Sequence, residues 1–131
     1  MFGFGKRKKP LVLHVDDSAL QLMAVKNMLQ LLGVDSIEAA SGKDAIVLAE
    51  ERKPDAIILD AMMPLMDGYQ TAEILRAKAS TKDIPILMLT GSDAVKDVDK
   101  AGEMGIKAYL VKPVQYDRLK SKLGALIQLP E

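Results

Sequence analysis

The sequence predicts an α/β domain in which an open parallel β-sheet is covered by helices on both faces. Two observations lead to this prediction. Apolar runs of strand length alternate five times with stretches of helical periodicity, which is the pattern of consecutive strand–helix units. Several runs are continuous in Leu, Val and Ile instead of alternating with polar residues, as is typical of strands buried on both faces. The length of 131 residues and the apolar content of 49% suit one domain with its own core.

The first strand is predicted over residues 11–15. A helix over 18–32 follows, because its apolar side chains recur at three- and four-residue spacing. Asp17 or Ser18 is the expected N-cap of this helix, and Gly33 is expected to end it. The residues of the apolar stripe are Leu22, Val25, Met28, Leu29 and Leu32.

The second unit is a predicted strand over 36–39 and a helix over 41–53. Ser41 followed by Asp44 resembles a capping box in which Asp takes the place of Glu. The remaining predicted elements, in chain order, are a strand over 56–59, a helix over 67–78, a strand over 84–89, a helix from 92 to 102 or 105, a strand over 106–111 and a helix over 115–127. The last helix is expected to face the core with Leu119, Leu123, Leu126 and Ile127.

The composition excludes several classes of protein. The chain has no Cys, which excludes a disulfide framework, a zinc ribbon and a thiol nucleophile. No uncharged apolar run approaches the ~18 residues that a membrane span needs, and no apolar signal-peptide core follows the basic N-terminus. We therefore expect a cytoplasmic protein.

The formal net charge of zero combines two unlike parts of the chain. Residues 6–9 contribute four of the 18 basic side chains, so the remainder carries 14 basic and 18 acidic side chains, a formal charge of −4. Residues 1–9 have no apolar periodicity, which predicts a flexible basic tail before a folded domain over 10–131. The tail is either a solubilising extension or a contact with an acidic partner or a membrane surface, aided by Phe2 and Phe4. Its cations are Lys6, Arg7, Lys8 and Lys9.

Polar side chains directly follow four of the five predicted strands. Asp16 and Asp17 follow the first strand and Asp60 the third. Thr90 follows the fourth strand and Lys112 the fifth. Because ligands of open parallel sheets bind beyond the carboxyl ends of the strands, we expect these side chains to meet at one edge. Each of these residues alone has an ordinary structural explanation, such as a turn or a helix cap. A role in stability does not explain why polar residues follow four strands at the same edge.

The chemistry of these residues indicates phosphoryl transfer. Three converging carboxylates repel one another unless a cation lies among them, and a set of oxygen ligands favours Mg²⁺ over zinc or copper. A divalent cation, the amine of Lys112, the hydroxyl of Thr90 and backbone amides together suit the spread charge of a transferring phosphoryl group. A carboxylate can itself be the nucleophile, which gives an aspartyl phosphate. Asp60 is the best candidate, because it ends the strand expected at the centre of the sheet.

Four stretches carry a resemblance to a known family. The most specific is Ile58-Leu59-Asp60-Ala61-Met62-Met63-Pro64-Leu65-Met66-Asp67-Gly68-Tyr69, and it is completed by Val15-Asp16-Asp17-Ser18, Leu89-Thr90-Gly91 and Val111-Lys112-Pro113. Together they resemble a response-regulator receiver domain of two-component signalling, similar to a chemotaxis regulator. The resemblance covers residues 10 to about 128. It implies that 10–131 is a receiver domain with a flavodoxin-like (βα)5 doubly wound sandwich, whose sheet has the strand order 2-1-3-4-5.

The resemblance implies a role for each residue at the strand ends. Asp60 would accept a phosphoryl group from a phosphohistidine of a sensor histidine kinase or a phosphotransfer protein, and Lys112 would pair with the phosphoryl oxygens. Asp17 would bind Mg²⁺ directly and Asp16 chiefly through water. The metal would also be bound by Asp60 and by the backbone carbonyl of Met62.

Further roles follow from the same resemblance. Thr90 would swing towards the phosphoryl group, and Tyr109 would rotate inwards with it as the switch aromatic. The backbone amides of Ala61 and Gly91 would bind phosphate oxygens. In the family the peptide bond that corresponds to Lys112-Pro113 is typically cis.

The implied function is a signalling switch that catalyses only its own phosphoryl transfer and autodephosphorylation. Phosphorylation would change the surface formed by residues 92–127, where receivers dimerise or meet a downstream protein, and no direct binding of nucleic acid is expected. Two alternatives remain at the level of the sequence: a receiver fragment of a longer regulator or hybrid kinase, and a receiver-like interaction module that does not use phosphate. His14 lies inside the first predicted strand, so a structural role is expected for it.

Overall fold

The computed structural model describes residues 9–91, 102–106 and 108–130. In these residues five strands form one parallel sheet in the order β2-β1-β3-β4-β5, which confirms the expected order. The strands are β1 (Leu11–Val15), β2 (Asp35–Ala39), β3 (Ala56–Asp60), β4 (Ile86–Thr90) and β5 (Ala108–Val111). The helices are α1 (Ala19–Leu31), α2 (Gly42–Arg52), α3 (Gly68–Ala77) and α4 (Tyr116–Gly124). The predicted tail up to residue 8 and the predicted helix that begins at 92 lie outside the described residues; α4 is the last predicted helix.

The sheet has a separate apolar core on each face. One core lies under α2 and α3, and the other lies under α1 and α4. Neighbouring residues of a strand supply opposite cores, as Ile57 and Ile58 of β3 show, because successive side chains of a strand point to opposite faces. This confirms the interpretation of the continuous apolar runs as strands covered on both sides.

The first two helices begin at serine N-caps that the sequence indicates, whereas the reciprocal capping box suggested for α2 is found at α3. Ser18 is the N-cap of α1, where its hydroxyl accepts from the Gln21 amide at 3.3 Å. Ser41 caps α2 and accepts from the Asp44 amide at 3.1 Å. The reciprocal capping box is found at α3, where Asp67 and Gln70 each accept from the other's amide.

Several element boundaries differ from the predictions, and two of the larger differences have a local reason. β4 begins at Ile86 instead of residue 84, because the amide of Ile84 closes a turn onto the Thr81 carbonyl at 3.1 Å and Pro85 has no amide hydrogen to donate. The last helix ends at Gly124 instead of residue 127. The next residues form a turn in which the amide of Ile127 donates to the Leu123 carbonyl at 2.9 Å.

The amino end of β1 is held by three hydrogen bonds. The amide of Leu11 donates to the Asp55 carboxylate at 2.8 Å, and the amide of Asp55 donates back to the Leu11 carbonyl at 2.7 Å. The Asp35 amide donates to the Pro10 carbonyl at 2.9 Å. The chain therefore enters the domain at a fixed point on the amino edge of the sheet.

Candidate functional site

Three carboxylates meet at the carboxyl edge of the sheet. Asp16 and Asp17 directly follow β1 and Asp60 ends β3, and the two strands are neighbours in the sheet. One oxygen of each carboxylate lies within 4.8 Å of the others. Asp16 and Asp60 are buried, whereas Asp17 is exposed to solvent. The three acids that the sequence predicts as metal ligands thus form one cluster.

Lys112 brings a positive charge to this cluster from the far side of β4. Its Nζ lies 2.9 Å from Oδ2 of Asp60 and 3.5 Å from Oδ2 of Asp16. Two backbone features accompany this position. The Lys112-Pro113 peptide is cis, as the resemblance implies, and the Lys112 amide donates to the Thr90 carbonyl at 2.8 Å.

The pKa values of Asp60 and Lys112 are both raised in this cluster. Burial raises the pKa of Asp60, and the charge of Asp16 adds to this effect, although hydrogen bonds from Lys112 and the Met62 amide act in the opposite direction. Burial disfavours the charge of Lys112, but Asp60 and Asp16 outweigh this and raise its pKa. The ammonium group therefore stays protonated and offsets part of the negative charge.

The cluster fits a hard divalent cation. Oδ1 of Asp16 accepts from the Ser18 amide at 2.9 Å. Oδ2 is buried and, apart from the 3.5 Å ion pair with Lys112, has no hydrogen-bond partner in the part of the chain that is described. A buried carboxylate oxygen without a hydrogen bond is costly, and Mg²⁺ among oxygen ligands would satisfy it. The donor set, with no His or Cys in the cluster, agrees with that metal.

The two residues expected to switch lie on adjacent strands. Thr90 ends β4 and is buried, and its hydroxyl donates to the Leu110 carbonyl at 3.5 Å, a long and weak hydrogen bond. Tyr109 lies on β5, is half-buried and packs against the core under α2 and α3. The hydroxyl of Thr90 can therefore change partner at little cost.

The backbone amides differ from the expectation at one position. The Ala61 amide, expected to bind phosphate, donates to the Leu89 carbonyl at 2.8 Å and continues the pairing of β3 with β4. It has no second hydrogen to offer a phosphate oxygen. The next amide, that of Met62, donates to Oδ1 of Asp60 at 3.2 Å. The Met62 amide therefore faces the Asp60 carboxylate on this side, and Gly91 is exposed at the end of β4.

Two further residues complete the surroundings of the site. Gly68 begins α3 and has no room for a side chain, because a β-carbon there would overlap the carbonyl oxygen of Asp60. Its place in the most specific of the four sequence stretches was the only signal for this contact. His14 is buried in β1 and neither ring nitrogen has a hydrogen-bond partner among the described residues. Burial lowers its pKa to about 4, so the ring is neutral and part of the core at pH 7.

Comparison with known proteins identifies the family. Residues 12–124 match the sequence model of the response regulator receiver domain. The chain belongs to the response regulator receiver family. Receiver domains are signalling switches of two-component systems that are controlled by phosphorylation.

Curated relatives of this receiver domain include both short and long proteins. Protein PilH of Pseudomonas aeruginosa is 32% identical over 116 residues, which cover 88% of this chain and 96% of PilH. Protein PilG of the same organism is 34% identical over 115 residues, 88% of this chain and 83% of PilG. The probable transcriptional regulator ycf27 of Porphyridium aerugineum is 32% identical over 121 residues, 92% of this chain. The chain spans about half of the ycf27 protein, 49% of its length.

Solved structures of other receiver domains share the fold. The chemotaxis protein CheY4 of Vibrio cholerae superposes with a TM-score of 0.86 at 32% identity, over 91% of this chain and 99% of that chain. The receiver domain of the sensor histidine kinase PA1611 of Pseudomonas aeruginosa has a TM-score of 0.82 at 29% identity, over 90% of this chain and 97% of that chain. That structure holds a magnesium ion in its active-site cleft. In the described part of the present chain, no helix is long and apolar enough to span a membrane.

Proposed function

We propose that this receiver domain accepts a phosphoryl group on Asp60 and that Mg²⁺ is required for the transfer. The observation that carries the proposal is the position of the Asp60 carboxylate, which lies 2.9 Å from Lys112 and within 4.8 Å of two further acids. Asp16, Asp17, Asp60 and the carbonyl of Met62 would hold the metal. When bound, the metal would neutralise charge on the transferring phosphoryl oxygens.

The transfer itself needs one bond to form and one to break. A carboxylate oxygen of Asp60 attacks the phosphorus atom, and the bond from phosphorus to the imidazole nitrogen of the donor breaks. The electron pair of the broken bond stays on that nitrogen, so the ring leaves as neutral imidazole when its other nitrogen carries a proton, and otherwise becomes neutral by taking a proton from water. Lys112 and the amides of Met62 and Gly91 stabilise the charge on the phosphoryl oxygens.

The acyl phosphate adds about two negative charges where Asp60 carried one. Lys112 then pairs with a phosphoryl oxygen, and Thr90 exchanges its long hydrogen bond to Leu110 for a charged acceptor. Tyr109 moves inwards as Thr90 moves. The resulting conformational change alters the surface formed by residues 92–127, which include β5 and α4.

The partners follow from this chemistry. The donor is a phosphohistidine protein, either a sensor histidine kinase or a phosphotransfer protein. The target is a downstream protein or a second copy of the receiver, in the cytoplasm. We expect no direct binding of nucleic acid by the folded domain, because residues 10–131 carry a formal charge of −4 and phosphorylation makes this charge more negative.

Incubation with acetyl phosphate and Mg²⁺, followed by measurement of the intact mass, tests the proposal. The natural chain should gain ~80 Da, the mass of one phosphoryl group, and the gain should disappear when Mg²⁺ is removed. Asp60→Asn should gain nothing, whereas Asp117→Asn, which alters an exposed acid in the first turn of α4, should gain the same mass as the natural chain. A gain of mass in Asp60→Asn would refute the assignment. No gain in the folded natural chain would instead favour an interaction module that does not use phosphate.

The same measurement on a longer gene product would test the other alternative. The ycf27 relative is about twice as long as its matching region, so the present chain can also be the receiver of a longer regulator or hybrid kinase. Equal phosphoryl gain in the 131-residue chain and in a longer product would show that the receiver acts as an independent unit in either context.

A further inference from the structure

Gly42, the first residue of α2, is buried against two side chains from another part of the chain. A β-carbon on Gly42 would overlap Oγ1 of Thr71 and would lie 3.0 Å from Sδ and 3.2 Å from Cγ of Met66. Thr71 belongs to α3, and Met66 lies in the loop over residues 61–67 that joins β3 to α3. The missing side chain therefore leaves the space into which Met66 and Thr71 pack.

The β3–α3 loop is held at both of its ends. At the start, the carbonyl of Ala61 accepts from the amide of Gly68 at 3.0 Å. At the end, the carbonyl of Asp67 accepts from the hydroxyl of Thr71 at 2.8 Å. These hydrogen bonds fix the ends of the loop but leave the residues between them, which include Met62, to be fixed by side-chain packing.

Two methionines supply that packing. Met63 is buried in the core under α2 and α3, and Met66 is half-buried against Gly42. Leu65, which precedes Met66, has a φ of 70° and is fully exposed. A leucine in this left-handed conformation is strained, and such strain persists only where the surroundings fix the backbone. The methionine contacts on either side of Leu65 account for this constraint.

The turn that carries Gly42 is also bonded to the acidic cluster. The carbonyl of Ala39, at the end of β2, accepts from the amide of Asp16 at 3.1 Å. Three residues later, Gly42 meets Met66. The turn from β2 to α2 therefore joins the backbone of one proposed metal ligand to the loop that carries another, the carbonyl of Met62.

We propose that Gly42 is a positioning residue of the metal site. Because Gly42 has no side chain, Met66 and Thr71 can close against α2, and they hold the β3–α3 loop in the conformation that presents the Met62 carbonyl to Mg²⁺. The inference rests on the proposed function, in which that carbonyl binds the metal. Gly42 does not itself bind the metal, and a methyl group there would act by displacing the loop.

Titration calorimetry of the full chain with Mg²⁺, without a phosphoryl donor, tests this inference. Gly42→Ala should bind Mg²⁺ about tenfold more weakly than the natural chain, a loss typical of residues that support a metal ligand without binding the metal. Met66→Ala removes the same contact from the side of the loop and should weaken Mg²⁺ binding to a similar extent. It provides the test if Gly42→Ala does not fold.

A double variant tests the steric route. G42A/T71A should bind Mg²⁺ within about threefold of the natural chain, because loss of the Thr71 hydroxyl makes room for the added methyl group. The remaining close contact is with the flexible end of the Met66 side chain. Thr71→Ala alone should have little effect, because the Asp67 carbonyl still accepts from the Thr71 amide at 3.0 Å.

Two control variants separate positioning from a general loss of stability. Gly124→Ala adds the same methyl group in α4, where the β-carbon would lie at an ordinary contact distance of 3.5 Å from Cδ1 of Leu129. It should leave the affinity for Mg²⁺ unchanged. Val25→Ala removes packing from the core under α1 and α4. It should lower the urea midpoint of unfolding and also leave the affinity for Mg²⁺ unchanged.

The possible outcomes distinguish this inference from the proposed function. Equal Mg²⁺ binding by Gly42→Ala and the natural chain would overturn the inference, as would an equal loss of affinity in Val25→Ala. Failure of G42A/T71A to recover affinity would refute the steric route. Absence of Mg²⁺ binding by the natural chain would instead overturn the proposed metal site, and the inference with it. Circular dichroism of each variant shows whether the domain is folded.

Discussion

Gly68 lies against the backbone of Asp60, so closely that a β-carbon on Gly68 would overlap the Asp60 carbonyl oxygen and lie 2.8 Å from Cα of Ala61. The Gly68 amide also donates to the Ala61 carbonyl at 3.0 Å. The first residue of α3 is therefore packed on the main chain that carries the proposed phosphoacceptor. The position of Asp60 depends on the absence of a side chain eight residues further on.

A methyl group at Gly68 should disturb both the fold and the site. We expect Gly68→Ala to lower the free energy of unfolding by about 1–3 kcal/mol, because backbone atoms cannot move aside as flexible side chains do. Urea denaturation measures this change, and the mass gain with acetyl phosphate should slow as Asp60 is displaced. Gly91→Ala is the control: a β-carbon there has no atom within 4 Å, so its stability should be unchanged or raised by up to about 1 kcal/mol. Equal stability of the two variants would contradict the steric argument.

Removal of the Lys112 side chain should leave metal binding intact. The ammonium group lies 2.9 Å from Asp60 and 3.5 Å from Asp16, where it competes with a divalent cation. We expect Lys112→Ala to bind Mg²⁺ about fivefold more tightly, which corresponds to about 1 kcal/mol of repulsion removed, and to lose the phosphorylation-dependent contact with its target. Titration calorimetry with Mg²⁺ measures the first effect, with Lys120→Ala on the exposed face of α4 as the control. Loss of Mg²⁺ binding in Lys112→Ala would show that the role given to the lysine is wrong.

Acid should destabilise the domain partly through His14. Its pKa is about 4 in the folded chain and 6.5 in the reference state, so the unfolded chain binds a proton first as the pH falls. The stability from this group is complete above pH 6.5 and is lost progressively down to about pH 4, by about 3 kcal/mol in total. Asp60 acts with the opposite sign, because its pKa is raised in the folded state.

His14→Leu isolates the contribution of the histidine. The difference in unfolding free energy between His14→Leu and the natural chain, measured in urea without Mg²⁺, should grow in favour of the variant as the pH falls from 6.5 to 4. A difference that is constant over this range would show that His14 does not titrate in the unfolded chain differently from the folded one.

Arg76 should stabilise the turns that precede β4 and β5. From α3 its guanidinium donates to three carbonyl groups, those of Met104 at 3.2 Å, Lys82 at 2.9 Å and Ile84 at 2.8 Å. We expect Arg76→Ala to lower the free energy of unfolding by about 2–4 kcal/mol, because three carbonyls lose a charged donor. Arg118→Ala, at an exposed position of α4, should change it by less than about 0.5 kcal/mol. A similarly small loss of unfolding free energy in both variants would mean that water molecules replace the guanidinium as hydrogen-bond donors.

The sequence predicted those features that depend on local pattern. The five strands follow from continuous apolar runs, and the carboxylate cluster follows from Asp16, Asp17 and Asp60 at strand ends that a parallel sheet must bring together. The strand order came from the resemblance alone, because periodicity does not say which strands pair.

Contacts that depend on close approach in three dimensions were not predictable in this way. The close approach of Gly68 to Asp60 and the three hydrogen bonds of Arg76 join residues whose spacing carries no periodic signal. The resemblance implied that the Ala61 amide binds phosphate, but ladder pairing with Leu89 uses its only hydrogen. The anchor of Leu11 on Asp55 was likewise invisible, because the two residues are 44 positions apart.

The fixed entry of the chain at Pro10 has a mechanical consequence. β1 lies between β2 and β3 and is hydrogen-bonded to both, so a force applied at Pro10 along the strand is resisted by both neighbours. Such a load is shared by the hydrogen bonds of both neighbouring strands at once, instead of opening them one after another from an edge. The paired length of β1 therefore lies between such a load and the carboxylates, which follow the far end of the same strand.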